Sequence, residues 1–147
     1  MNGDDAMTPS ANKILIVDDD KDAITFIGSL IRSSGMVPIA AGSMAEGLRE
    51  VQKSAPRCII LNCMMCGEEG ICLYRALKTD EALKKVPVIM LSSIRRETVL
   101  RSGILSDALA EQAIPEPEAF LTNPPDAGAL IDTVQLLTHG EKTASDD

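Results

Sequence analysis

The chain is poor in aromatic residues, in histidine and in basic charge. Two Phe, one Tyr and no Trp among 147 residues leave little with which to stack nucleobases. Lys and Arg total 14 against 22 Asp and Glu, a net charge of −8. No basic run supplies the positive footprint that a phosphate backbone needs, so nucleic-acid binding by this chain is not expected. The acidity reads first as solubility. No apolar run approaches the ~20 residues that span a bilayer, and no membrane partner is expected. The opening "MNGDDAMTPSANK" carries acids and no apolar h-region, unlike a secretory signal, so the expected location is cytoplasmic.

Cysteines are present but bunched. Cys58, Cys63, Cys66 and Cys72 fall within fifteen positions, whereas a secreted disulfide scaffold spreads its cysteines through the chain. Cys63 and Cys66 form a C-x-x-C, a spacing used in redox and metal chemistry. Zinc would need two further soft or imidazole ligands, and the only histidine is the distal His139. A redox pair at Cys63 and Cys66 stays open. Cys58 reads as a small core hydrophobe.

Two kinds of apolar segment alternate along the chain. Ile14–Val17, Val37–Ala41, Cys58–Leu61, Val86–Leu91 and Ala119–Leu121 are short and nearly continuous, as strands covered on both faces are. Between them apolar residues recur at helical spacing. Ile24, Ile27, Leu30 and Ile31 form one stripe, and Leu130, Ile131, Val134 and Leu137 another. Leu48 with Val51, and Ile71 with Tyr74 and Leu77, mark two more helices. A further helix is expected around Val99, Leu100, Ile104 and Ala108, broken by the prolines of "AIPEPE". This extended region, Arg95–Pro117, is longer than one helix and a strand entry require.

Five strand–helix alternations predict an α/β doubly wound parallel sheet with helices on both faces. Ligands in that architecture gather outside the carboxyl ends of the strands. The residues standing there are Asp18, Asp19 and Asp20, then Gly42, Asn62, Ser92 and Ser93, and Thr122 and Asn123. The domain is expected over residues 12–138, with 1–11 and 139–147 as flexible ends.

Four segments in order, "KILIVDDD", "LNCMMCGEEG", "VPVIMLSS" and "FLTNPPD", resemble a response-regulator receiver domain. The resemblance runs from about Asn12 to Thr138 and implies a flavodoxin-like sheet of five strands in the order 2-1-3-4-5. It also implies a place in two-component, phosphorelay signalling, and no enzyme activity. In that family an acidic pair after the first strand helps hold Mg²⁺, and Asp18 and Asp19 match it, with Asp19 the more direct ligand and the Met64 carbonyl beside it. The phosphoacceptor aspartate after the third strand is matched by Asn62, the hydroxyl residue after the fourth by Ser92. The lysine before a proline after the fifth strand is matched by Asn123, and the switch aromatic by Phe120. Cys66, Glu68 and Glu69 also depart from the family's pattern, whereas Met64, Met65, Gly67 and Gly70 keep it.

The two asparagines change the chemistry together. An amide oxygen is a far poorer nucleophile than a carboxylate, and Asn62 also takes away an anionic ligand that a hard cation prefers. Asn123 takes away the cation that would neutralise phosphoryl oxygens. Three acids with a lysine, and two acids with two asparagines, carry the same formal charge of −2, and the amides can donate to Asp18 and Asp19. The expectation is a stand-alone adaptor that is not phosphorylated at the usual site and requires no cofactor, with Mg²⁺ binding weak at best. Its partners would be a histidine kinase or a downstream regulator. They would dock on the face that related domains build from the fourth helix, fifth strand and fifth helix. Two alternatives stand beside it: phosphorylation at a substitute acid (Asp18, Asp19 or Asp20), and redox sensing through Cys63 and Cys66. A plainer role for Asp18 and Asp19 is to cap the first helix, for Ser92 to be a turn or cap residue, and for Phe120 to be a packed aromatic.

Overall fold

The computed structural model describes residues 12–65, 69–93 and 115–146. Strands β1 (Lys13–Val17), β2 (Val37–Ala41), β3 (Cys58–Asn62), β4 (Val88–Ser92) and β5 (Ala119–Thr122) alternate with helices. The helices are α1 (Lys21–Ser33), α2 (Met44–Ser54), α3 (Glu69–Lys78) and a C-terminal α4 (Ala127–Asp146). The strands form one sheet in the order β2-β1-β3-β4-β5, and all four pairings are parallel. The expected architecture is the observed one. Cys66, Gly67 and Glu68, the helix expected around Val99–Ala108 and most of Arg95–Pro117 lie outside the described residues.

The central strands β1, β3 and β4 serve two cores because successive side chains point to opposite faces. Leu15 and Val17 of β1, Ile59 and Leu61 of β3, and Met90 of β4 pack with Val51 of α2 and with Leu73, Tyr74 and Leu77 of α3. Ile14 and Ile16, Ile60, and Ile89 and Leu91 pack on the other face with Ile27 and Ile31 of α1 and with Leu130 and Val134 of α4. Burial on both sides explains why these strands read as continuous apolar runs. It also places Cys58 and Cys63 in opposite cores.

Helix starts are set by short polar side chains. Asp20 is the N-cap of α1 and accepts from the N–H groups of Asp22 (2.9 Å) and Ala23. Ser43 caps α2 by accepting from Glu46 N–H, while Glu46 returns a carboxylate to Gly42 N–H at 2.6 Å. The backbone of α4 stays helical to Asp146, past the expected boundary at 138. The apolar stripe behind that boundary ends at Leu137.

A second polar cluster ties the N-terminal ends of β4 and β5 to α3. Lys78 Nζ, buried, reaches the Glu118 carboxylate at 3.0 Å and the carbonyls of Lys84 and Val86 at 3.1 Å. Glu118 in turn accepts from Val88 N–H at 2.8 Å, and Tyr74 O–H donates to the Pro115 carbonyl. Burying a lysine requires this degree of pairing.

Candidate functional site

The carboxyl ends of β1, β3, β4 and β5 converge on one edge, and the polar residues expected there are brought together. Asp18, directly after β1, is 1 % exposed, Asn62 at the end of β3 is 9 % exposed, and Ser92 at the end of β4 is 2 % exposed. Asn123 follows β5 and hangs its backbone N–H on the Ser92 carbonyl at 3.0 Å. The peptide bond from Asn123 to Pro124 is cis. A hollow of about 430 Å³ opens among these segments. Asp18 and Asn62 line its buried part; Asp20, Asp22 and Phe26 on the α1 side and Asn123 with Pro124 line the rest.

Asn62 is fixed at both ends of its amide. Its Nδ2 donates to Asp18 Oδ1 at 3.1 Å, and its Oδ1 accepts from Met64 N–H at 3.0 Å. The opposite orientation would set two donors against each other at Met64 and two oxygens against each other at Asp18, so chemistry dictates the observed one. Asp18 Oδ1 also accepts from Asp20 N–H at 2.9 Å. Its Oδ2 is buried and has no hydrogen-bond partner among the described residues. Burial pushes the Asp18 carboxyl above its ordinary pKa, against the two N–H donors that favour the charged form and with Asp19 and Asp20 adding to the rise.

Several expectations are refined here. Asp18 and Asp19 do not cap the first helix; Asp20 does, because the chain turns one residue further before α1 begins. Ser92 is not a turn or cap residue but the buried last residue of β4, and its side chain hydrogen-bonds the Cys63 thiol. Phe120 is half-buried against the core that holds Met90 and Tyr74. Asp19 is exposed, as is Met64 at 45 %. Cys63 is 1 % exposed, and burial pushes its thiol up; Cys58 is pushed up to about 12 by burial. Asp22, Phe26 and Pro124 line the hollow without having been singled out as site residues. Phe26 lay off the apolar stripe of its helix, and 43 % exposure of an aromatic is the signal that could have marked it.

The match to a family model decides what this edge belongs to: residues 14–115 match the response regulator receiver domain. The chain belongs to the response regulator receiver domain family. The receiver is 34 % identical over 86 residues to the response regulator protein TodT of Pseudomonas putida strain F1, covering 58 % of this chain and 37 % of that protein. It is 29 % identical over 87 residues to the DNA-binding response regulator MtrA of Mycolicibacterium smegmatis, covering 59 % and 37 %. This chain thus spans little more than a third of the length of those curated relatives. The signal receiver domain of a signal transduction histidine kinase from Syntrophus aciditrophicus superposes with a TM-score of 0.72 at 25 % identity, covering 88 % of this chain and 91 % of that one.

Receivers are signalling modules of two-component systems and hold Mg²⁺ at this acidic edge. The described residues of this receiver fit that ion poorly. Asn62 turns an N–H donor toward Asp18 and spends its oxygen on Met64 N–H, so a hard cation loses an oxygen ligand and meets a donor instead. No group of three or more His, Cys, Asp or Glu among the described residues is arranged to hold a metal. No helix there is long and apolar enough to cross a membrane.

Proposed function

We propose that this receiver signals by protein–protein contact and does not undergo aspartyl phosphorylation at the end of β3. The observation that carries the reading is the amide of Asn62, neutral and engaged at both its oxygen and its nitrogen. Attack on a phosphoryl group needs an oxygen with an available, electron-rich lone pair, and a resonance-stabilised amide already accepting an N–H does not provide one. Asn123 adds no cation to gather phosphoryl charge. Asp18, Asp19, Asn62, Ser92 and Asn123 are then the remnant of a phosphoacceptor pocket, and Phe120 is a packing residue rather than a phosphorylation-coupled switch.

In such a module the equilibrium between receiver states passes from phosphate to partner binding. The partners in this reading are a histidine kinase or a downstream regulator that engage β5 and α4; the helix that would complete this face lies outside the described residues. Nucleic acid, membrane and a required cofactor are not part of the reading.

Intact mass after incubation with acetyl phosphate and Mg²⁺ tests it, with Asn62→Asp/Asn123→Lys run alongside. The native chain is expected to gain no phosphate and the double variant to gain one. Phosphate on the native chain would point instead to Asp18, Asp19 or Asp20. One observation favours that alternative: Asp18 Oδ2 has no hydrogen-bond partner among the described residues. The redox alternative is weakened by the burial of Cys63 and its raised thiol pKa.

A further inference from the structure

The hollow at the strand ends holds an anion whose hydrogen-bonding capacity is half used. Asp18 is 1 % exposed; Oδ1 takes the N–H groups of Asp20 and Asn62, and Oδ2 takes none from the described residues. A buried carboxylate oxygen is best satisfied by a cationic donor. The surroundings narrow which one. Asp20 and Asp22 add acidic side chains nearer solvent, and the described residues lining the hollow include no Lys or Arg. Phe26, Ala23 and Pro124 add apolar surface to the lining. An anionic group in a partly apolar lining complements a slender alkyl stem that ends in a compact ammonium. The partly exposed Phe26 ring can also attract the cation on its way in.

We propose that this hollow receives a lysine side chain of a partner protein. Its ammonium pairs with the Asp18 carboxylate, which lines the hollow, and its stem lies along Phe26 and Pro124. This inference rests on the reading above, in which Asn62 and Asn123 have ended phosphoryl chemistry and left the pocket without a lysine of its own. The partner then supplies in trans the charge that the described lining of the hollow lacks.

The test follows side-chain and backbone amide resonances of the full ¹⁵N-labelled chain. The probe is Nα-acetyl-lysine N-methylamide, its Nε-acetylated form is the control, and n-butylammonium and MgCl₂ are the comparison cations. Saturable movement of the Asn62 side-chain and Asp20 backbone amides is expected with the probe and not with the neutral control. Asp18→Asn should weaken the response at least tenfold, and Asn123→Lys should abolish it by filling the hollow from within. Four outcomes would overturn the proposal: no saturable response, an equal response to the control, a response that survives in Asp18→Asn, or displacement of the probe by less MgCl₂ than probe. Tighter binding of n-butylammonium than of the blocked lysine would make this a small-amine site, and the docking proposal would fall. Acetyl phosphate labelling of the same samples reads the underlying function separately. Phosphate on the native chain defeats that function, whereas a silent probe without phosphate uptake defeats only the lysine contact.

Discussion

Asp18 is protonated more readily in the folded chain than in the unfolded one, because burial outweighs the N–H groups of Asp20 and Asn62 that favour its charge. A raised folded pKa means that the folded state binds this proton more tightly. The unfavourable burial of charge is therefore absent below the unfolded value of 3.8 and complete once pH passes the folded value. Asp18→Asn removes the titration and keeps an oxygen for both N–H donors. In EDTA the variant is expected to melt above the native chain at neutral pH, with the gap closing as pH falls toward 3.8; a gap that is constant with pH would refute the burial argument. The same burial governs the thiols. Cys58 and Cys63 are 0 % and 1 % exposed, and their thiols are held up by desolvation. Peptide mapping after brief iodoacetamide treatment at neutral pH should find both unmodified in the native chain and modified once urea unfolds it.

At the scale of elements, the first turn of α3 approaches the backbone at the end of β3 closely. A methyl group added at Gly70 would lie 2.7 Å from both the Cα and the carbonyl oxygen of Cys63 and would also strike the Asn62 carbonyl. None of these atoms can move without moving the strand end that carries Asn62. Gly70→Ala should lower the stability read from urea midpoints by about 1–3 kcal/mol and shift the Asn62 side-chain amide resonance. This contact was legible in the sequence only as a glycine that the family pattern keeps. The strands and helices themselves were legible because burial on both sheet faces writes short apolar runs, and one-sided helices write stripes. Asp20 as the true cap of α1 was less so. Three consecutive aspartates offer the same chemistry, and only the turn geometry selects among them.

Across the whole molecule the sheet separates two polar clusters of opposite character. At the carboxyl edge Asp18 keeps an oxygen that no described residue partners, beside a hollow. At the other edge Lys78 is bound by Glu118 and two carbonyls. Sequence reading found the first because strand ends of α/β sheets are known places for chemistry. It could not find the second, since forty positions separate Lys78 from Glu118 and neither lies in a motif. Glu118→Ala would leave a buried ammonium without its counter-charge and Val88 N–H without its acceptor, a loss of about 3 kcal/mol. Glu118→Gln keeps an oxygen for Val88 and should lose distinctly less. Because this pair anchors the N-terminal ends of β4 and β5 and not the hollow, folded Glu118→Gln should leave the amide resonances of Asn62 and Asp20 in place. Movement of those resonances in Glu118→Gln would mean that the two edges are coupled through β4 and β5. The lower edge would then belong to the signalling machinery and not to the scaffold alone.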